Sequence, residues 1–154
     1  MKKGFTLIEF MIVAALIIMF ASLTLPVGFN FYQESTLRDQ ARNLENSLRK
    51  AQAMAVTGRG DSKAGVKIEE GQYIIFEGES WQKHREETKI VIPFPIALSA
   101  TGAKEIVFQR LTGLPIFQEG EEERLIIKLT FGANSQEITI NSQGKIERHE
   151  PTGQ

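Results

Sequence analysis

The chain has 154 residues, 42% of them hydrophobic, with 18 Lys and Arg against 19 Asp and Glu. This is enough for one ordinary domain and an N-terminal segment. The absence of cysteine excludes disulfides, thiolate metal sites and cysteine nucleophiles. Residues 61–154 carry eleven basic and fifteen acidic side chains, a charge balance that disfavours nucleic acid as the main partner.

The N-terminal segment is apolar and long. From Phe10 to Gln33 there are 24 residues without a charge, and a helix needs about 20 apolar residues to cross a bilayer. The small residues Ala14 and Ala15 lie in the middle of this run, not at its end, which argues against a cleaved secretory signal. Lys2 and Lys3 precede it, so the positive-inside rule places the N-terminus in the cytoplasm. We therefore expect a transmembrane helix over 5–29.

Glu9 lies at the start of the apolar region, where a carboxylate is costly. At the centre of a membrane helix it would cost about 2.5–3.5 kcal/mol, and less near the interface. Two interpretations remain open from the residues. Either Glu9 lies at headgroup depth and is tolerated there, or it pairs with a positive group inside an assembly of such helices.

The segment Lys3–Glu9, KGFTLIE, resembles the class III signal of type IV pilins and type II secretion pseudopilins. The resemblance implies that residues 1–4 are a leader, that a prepilin peptidase cuts between Gly4 and Phe5, and that the Phe5 amine is methylated. It also implies that Glu9 meets the Phe5 amine of a neighbouring subunit. Pro26 falls where pilins commonly carry a proline, and we expect it to kink the helix because its ring removes a backbone donor.

Residues 30–58 are predicted to form an amphipathic helix that packs on the head. Apolar residues recur every three or four positions and form one stripe, Leu37, Ala41, Leu44, Leu48, Ala51 and Ala55. Acid-first pairs at i, i+4 support the helix at Glu34–Arg38 and Glu45–Arg49. Gly58 is a natural C-terminal cap.

Residues 62–150 are predicted to be a β-rich globular head, because the helical period ends and short alternating runs begin. The candidate strands are 66–69 and 73–76, joined as a hairpin across Glu70–Gly71, then 88–92, 105–109, 113–118, 124–131, 136–141 and 145–148. Pro93, Pro95 and Pro115 indicate edges or loops. The expected fold class is α+β, a long N-terminal helix packed on an antiparallel sheet.

The C-terminal third is similar to the GspH/FimT group of minor pilins. The residues that carry this resemblance are Val107–Phe108 with Gly113, the strand Leu125–Leu129, and Ile138–Asn141 followed by Gly144–Ile146. The same turns and alternation also fit any small β domain.

No catalytic, cofactor or metal constellation is predicted, so we expect a protein that is not an enzyme. Gly58–Asp61 lacks the Lys-Ser/Thr of a phosphate-binding loop, and the two histidines, His84 and His149, lie in polar surroundings. The acidic run Glu119–Glu123 lacks the alternation of calcium loops, so a solvated turn is favoured over Ca²⁺ binding. Trp81 is interpreted as partial core, with a stacking contact for a partner or single-stranded DNA as the alternative.

The two resemblances imply a structural minor pilin or pseudopilin of a type II secretion pseudopilus or type IV pilus. The expected location is the inner membrane, single-pass, with the head outside the cytoplasm. The expected partners are the prepilin peptidase, sibling subunits and the assembly machinery. The alternative is a DNA-binding minor pilin for DNA uptake; its candidate basic residues Lys145, Arg148 and His149 are interleaved with Glu147 and Glu150, which weakens it.

Overall fold

A computed structural model describes residues 6–57, 62–93, 95–101, 104–117 and 124–149, with the side chains of 23–28 and 84–87 left out of the description. The predicted cleavage site, Gly4 and Phe5, and the acidic run Glu119–Glu123 lie outside the described residues. Their predicted roles therefore stay predictions.

Helix α1 spans Leu7–Thr57, so the apolar segment and the amphipathic segment form a single helix. Its 51 residues correspond to about 75 Å at 1.5 Å per residue. Position 26 lies inside the helix, and the expected kink at Pro26 stays a prediction. Among the described residues, no helix combines the length and the apolar character that crossing a membrane requires.

The head contains two antiparallel sheets, whereas the sequence predicted one. The strands are β1 (Ala64–Glu69), β2 (Gln72–Gly78), β3 (His84–Val91), β4 (Ala97–Thr101), β5 (Glu105–Phe108), β6 (Pro115–Ile116), β7 (Arg124–Phe131), β8 (Asn134–Asn141) and β9 (Ile146–His149). The first sheet has the order β3-β2-β1-β5-β6 and the second β4-β7-β8-β9. The predicted hairpin across Glu70–Gly71 is confirmed, with Glu69 paired to Gln72.

Two strand predictions differ from the structure. Strand β4 was missed because it is short and its inward face consists only of the half-buried Leu98 and Ala100, so its apolar pattern is weak. The predicted strand 113–118 is reduced to β6, since Gly113 has φ +68° and belongs to the turn of the β5–β6 hairpin. Pro115 lies in this edge strand, as its missing N–H requires.

The core lies between α1 and the two sheets. All six residues of the predicted stripe are at most 1% exposed: Leu37, Ala41, Leu44, Leu48, Ala51 and Ala55. They pack with the inward residues of both sheets, including Phe108 and Ile127. This confirms the amphipathic helix and identifies the sheets as its partner.

Polar contacts hold the C-terminal half of α1 in register with the head. The Gln52 side-chain amide donates to the carbonyls of Gly113 at 3.0 Å and Gly144 at 2.8 Å. The Arg49 guanidinium donates to the Ile146 carbonyl at 3.0 Å while it pairs with Glu45. Two chain segments distant in sequence, one at Gly113 and one at Gly144–Ile146, are thereby tied to one helical turn.

Candidate assembly surface on the N-terminal helix

The N-terminal half of α1 exposes apolar side chains around the helix at residues 7–22 and 29–32, and we call these residues the exposed apolar segment. Phe10 is 71% exposed and Phe31 is 73% exposed. The exposed large hydrophobic residues of this segment are Leu7, Ile8, Phe10, Met11, Ile12, Val13, Leu16, Ile17, Ile18, Met19, Phe20, Phe29, Phe31 and Tyr32. A helix that is apolar on every side is normally buried in a protein or a membrane, and exposed patches of this size mark interaction sites.

Glu9 lies in the first turn of α1 with its side chain exposed. The Glu9 backbone N–H donates to the Thr6 hydroxyl at 3.4 Å, so Thr6 acts as the N-cap of the helix. Among the described residues, the Glu9 carboxylate has no ion-pair partner. Its location also places a negative charge at the positive end of the helix dipole.

The structure thus adds a role that the sequence analysis missed. Thr6 and Glu9 have the spacing of a capping box, in which a Ser or Thr is followed three residues later by Glu. The motif was present in the sequence but was assigned to processing and assembly alone. Among the described residues only the Thr6 half of this motif is bonded, through the Glu9 N–H, so the Glu9 carboxylate stays available to meet a charge on another molecule.

Three ion pairs lie along α1, from its junction with the exposed apolar segment into the packed half. The distances are 2.7 Å for Arg38–Glu34, 3.9 Å for Arg42–Asp39 and 2.9 Å for Arg49–Glu45. The first and third are the predicted i, i+4 pairs and are confirmed. All three have largely exposed members, so each contributes at most about 1 kcal/mol.

The residues singled out for other chemistry do not converge on a site. His84 begins β3 in the first sheet and His149 ends β9 in the second, and the described residues contain no cluster of three potential metal ligands. Lys145 pairs with Glu147 at 2.6 Å, and this bond holds the pKa of Glu147 below its usual value. One of the three candidate DNA-binding residues is therefore already neutralised.

Trp81 packs within the head, as interpreted from the sequence. Its ring meets Phe76 edge-on with centroids 5.9 Å apart, and the Lys67 ammonium lies 4.5 Å from the ring centroid. The Trp81 backbone N–H donates to the Glu105 carboxylate at 2.8 Å. These contacts account for the position of the only tryptophan by packing and a cation–π interaction.

No family model matches the sequence, and no curated protein matches it. The structure is similar to that of the minor pseudopilin EpsH from the type 2 secretion system of Vibrio cholerae, with a TM-score of 0.58 and 9% sequence identity. The match covers 76% of this chain and 98% of that one. The chain therefore has a pseudopilin-like fold, and the resemblance stated from the N-terminal motif is confirmed at the level of the fold.

Proposed function

We propose that this chain is a structural minor pilin or pseudopilin subunit that joins a filament through the exposed apolar segment of α1. The observation that carries the proposal is a difference in burial along one helix: residues 37–55 pack one stripe on the head, whereas residues 7–22 and 29–32 expose apolar side chains. The pseudopilin-like fold supports it. The role is that of a subunit, not of a catalyst.

Processing and membrane insertion belong to this proposal and rest on the sequence. A prepilin peptidase would cut between Gly4 and Phe5 and methylate the Phe5 amine. The uncharged run from Phe10 to Gln33 would hold the subunit in the inner membrane before assembly, with the head outside the cytoplasm. The resemblance to both secretion pseudopilins and pilins leaves either filament as the destination.

Glu9 would set the position of the subunit in the filament. When apolar helices surround Glu9, burial of its carboxylate without a counter-charge has a high free-energy cost. The amine of Phe5 on a neighbouring subunit would provide that charge after cleavage. A subunit in the wrong axial register would leave both charges unpaired, so the pair would select one register.

The test is incorporation of Glu9→Leu and Glu9→Gln subunits into filaments, measured beside wild type in cells that carry a prepilin peptidase and the assembly machinery. We expect at least about a tenfold loss of both variants from the sheared filament fraction, relative to the membrane pool, because a lost charge pair removes over 1.4 kcal/mol. Glu34→Gln, which removes an exposed acid of the same helix, serves as control and should incorporate normally.

Measurement of the intact mass of the protein distinguishes a defect in processing from a defect in assembly. Wild type should lack Met1–Gly4 and carry one methyl group on Phe5, and a Gly4→Trp variant should keep its full mass. Normal incorporation of Glu9→Leu would contradict the pairing, and an uncut wild-type chain would contradict the pilin class altogether.

A further inference from the structure

We propose that the open edge of β3, with the groove between β3 and α1, binds an extended acidic segment of another protein, which adds as an antiparallel strand to the first sheet. This surface lies on the head and is separate from the exposed apolar segment of α1. It does not rest on the proposed assembly role.

The backbone of β3 presents unused hydrogen-bonding groups. The Ile92 N–H donates to the Gly71 carbonyl at 2.9 Å, and the register then assigns the residues two positions apart, Ile90 and Thr88, to bonds with β2. The backbone groups of the intervening Lys89 and Val91 therefore point away from β2. Among the described residues, no strand pairs with this side of β3.

Strand β3 is also the most suitable open edge of the head. It has eight residues, compared with five in β4, four in β9 and two in β6, which are the other edge strands of the described sheets. Val91 is 67% exposed at its end. An unpaired strand of this length is a template for strand addition.

Beside this edge lies a groove of about 400 Å³ between α1 and β3. Its lining includes Asn43, Asn46, Ser47 and Lys50 from α1 and Thr88 and Ile90 from β3. The described lining contains one cation, Lys50, and no acid. Lys50 has no ion-pair partner among the described residues. The groove thus offers a positive charge and side-chain amides to a ligand.

The register of β3 with β2 shows which residues of β3 face the groove, and these residues indicate which side chains a bound segment would need. Thr88 and Ile90 pair with Ile75 and Tyr73, which belong to the core beneath α1, so Thr88 and Ile90 face the groove. Residues of an added strand opposite them would project over α1, where Lys50 favours a carboxylate.

The alternate residues of the added strand would lie on the other face of the sheet. There an acid would oppose the exposed Lys89 and an apolar residue would oppose Val91. The expected ligand is therefore an extended segment with acidic residues opposite Thr88–Ile90 and an apolar residue at one end, held by main-chain bonds and by the charges of Lys50 and Lys89. Lys89 also acts on the Glu69 carboxylate, and the acidic positions stop short of Glu86 and Glu87 in the same strand.

The probe is a blocked, fluorescently labelled hexapeptide with valine opposite Val91 and glutamate opposite Ile90, Lys89 and Thr88. It is titrated onto the full chain in mild detergent, and binding is followed by anisotropy. A matched peptide carries lysine in place of each glutamate. We expect the acidic peptide to bind at least about tenfold more tightly than the lysine peptide, because only the former complements Lys50 and Lys89.

Variants locate the site. Lys50→Glu should weaken binding about tenfold by reversing the groove charge, and Val91→Pro about tenfold by removing an outward N–H that the sheet does not use. Lys104→Glu, a charge reversal at an exposed lysine before β5, is the matched control and should stay within about twofold. Far-UV circular dichroism checks that each variant folds.

Equal binding of the two peptides, absence of saturable binding, or an equal loss in Lys104→Glu would each overturn the proposal. Sedimentation velocity distinguishes a second copy of this chain as the occupant. A dimer that Val91→Pro dissociates, without any effect on the peptide, would assign the edge to self-association and refute the acidic ligand.

Discussion

The two halves of α1 differ in what covers them, although the helix runs through both without a break. Residues 37–55 carry apolar side chains along one stripe, and the sheets of the same chain bury that stripe to 1% exposure or less. Residues 7–22 and 29–32 carry large apolar side chains on all sides, and these remain exposed. The packed half therefore stabilises the monomer, whereas the exposed half contributes to stability only when another molecule covers it.

The hydrophobic periodicity of a helix therefore indicates whether its apolar surface packs within the monomer or against other molecules. A stripe of period 3.6 matches one partner on one side, such as a sheet. An apolar surface around the whole circumference requires partners on several sides, which a bilayer or a bundle of helices provides. The Glu34–Arg38 ion pair lies where one requirement changes to the other.

The largest expected effect compares one leucine from each half. Leu44→Ala should reduce the free energy of unfolding by about 2–5 kcal/mol, because it opens a cavity beneath the helix. Leu16→Ala, at a residue 48% exposed, should change it by at most about 0.5 kcal/mol. Chemical denaturation of the full chain in mild detergent measures both. Similar losses would show that the exposed half is packed within the monomer.

A second comparison concerns two glycines, Gly113 and Gly71, of which the first contacts the end of the packed half of α1. Gly113 has φ +68° and a Cβ there would lie 2.6 Å from the Val56 Cγ2, in a β-branched side chain with little rotational freedom in a helix. Gly71 has φ +72° with open space around it. Gly113→Ala should therefore destabilise the head by about 1–3 kcal/mol more than Gly71→Ala, which bears the backbone strain alone. Equal thermal shifts would mean that the hairpin moves away from α1 at little cost.

The smallest expected effect is a pH dependence beneath the packed half. Burial raises the pKa of Tyr73, and the hydrogen bond from Ser47 opposes that shift in part. The folded state therefore holds this proton more tightly than the unfolded state, so the stabilisation is complete below pH 10.0 and is lost as the pH rises through the folded-state pKa. Tyr73→Phe should flatten the alkaline limb of a plot of melting temperature against pH.

Tyr32, 60% exposed in the other half of α1, provides the control for that measurement. Tyr32→Phe removes a hydroxyl without altering the core, so a flattened limb in Tyr73→Phe alone would assign the effect to the buried site. An unchanged limb in Tyr73→Phe would assign the alkaline loss to other groups.

The elements that could be predicted from the sequence are those whose residue patterns depend on neighbours close along the chain. The stripe from Leu37 to Ala55, the ion pairs at i, i+4 and the hairpin across Glu70–Gly71 follow from contacts within a few residues, and each appears in the structure as expected. The exposed apolar segment could also be predicted from the sequence, because uncharged and mostly apolar residues follow one another over many consecutive positions. Glu9 was found by its charge, although its place in a capping box was overlooked.

The division of the strands between two sheets could not be predicted from the sequence and is seen only in the tertiary structure. Strand β4 has only the half-buried Leu98 and Ala100 as its apolar face and forms because β7 supplies its hydrogen-bonding partner, a pairing that no local pattern encodes. The bonds from Gln52 to Gly113 and Gly144 likewise join residues more than sixty positions apart. The open edge of β3 depends on the same long-range order, since an edge is defined by which strand is missing beside it.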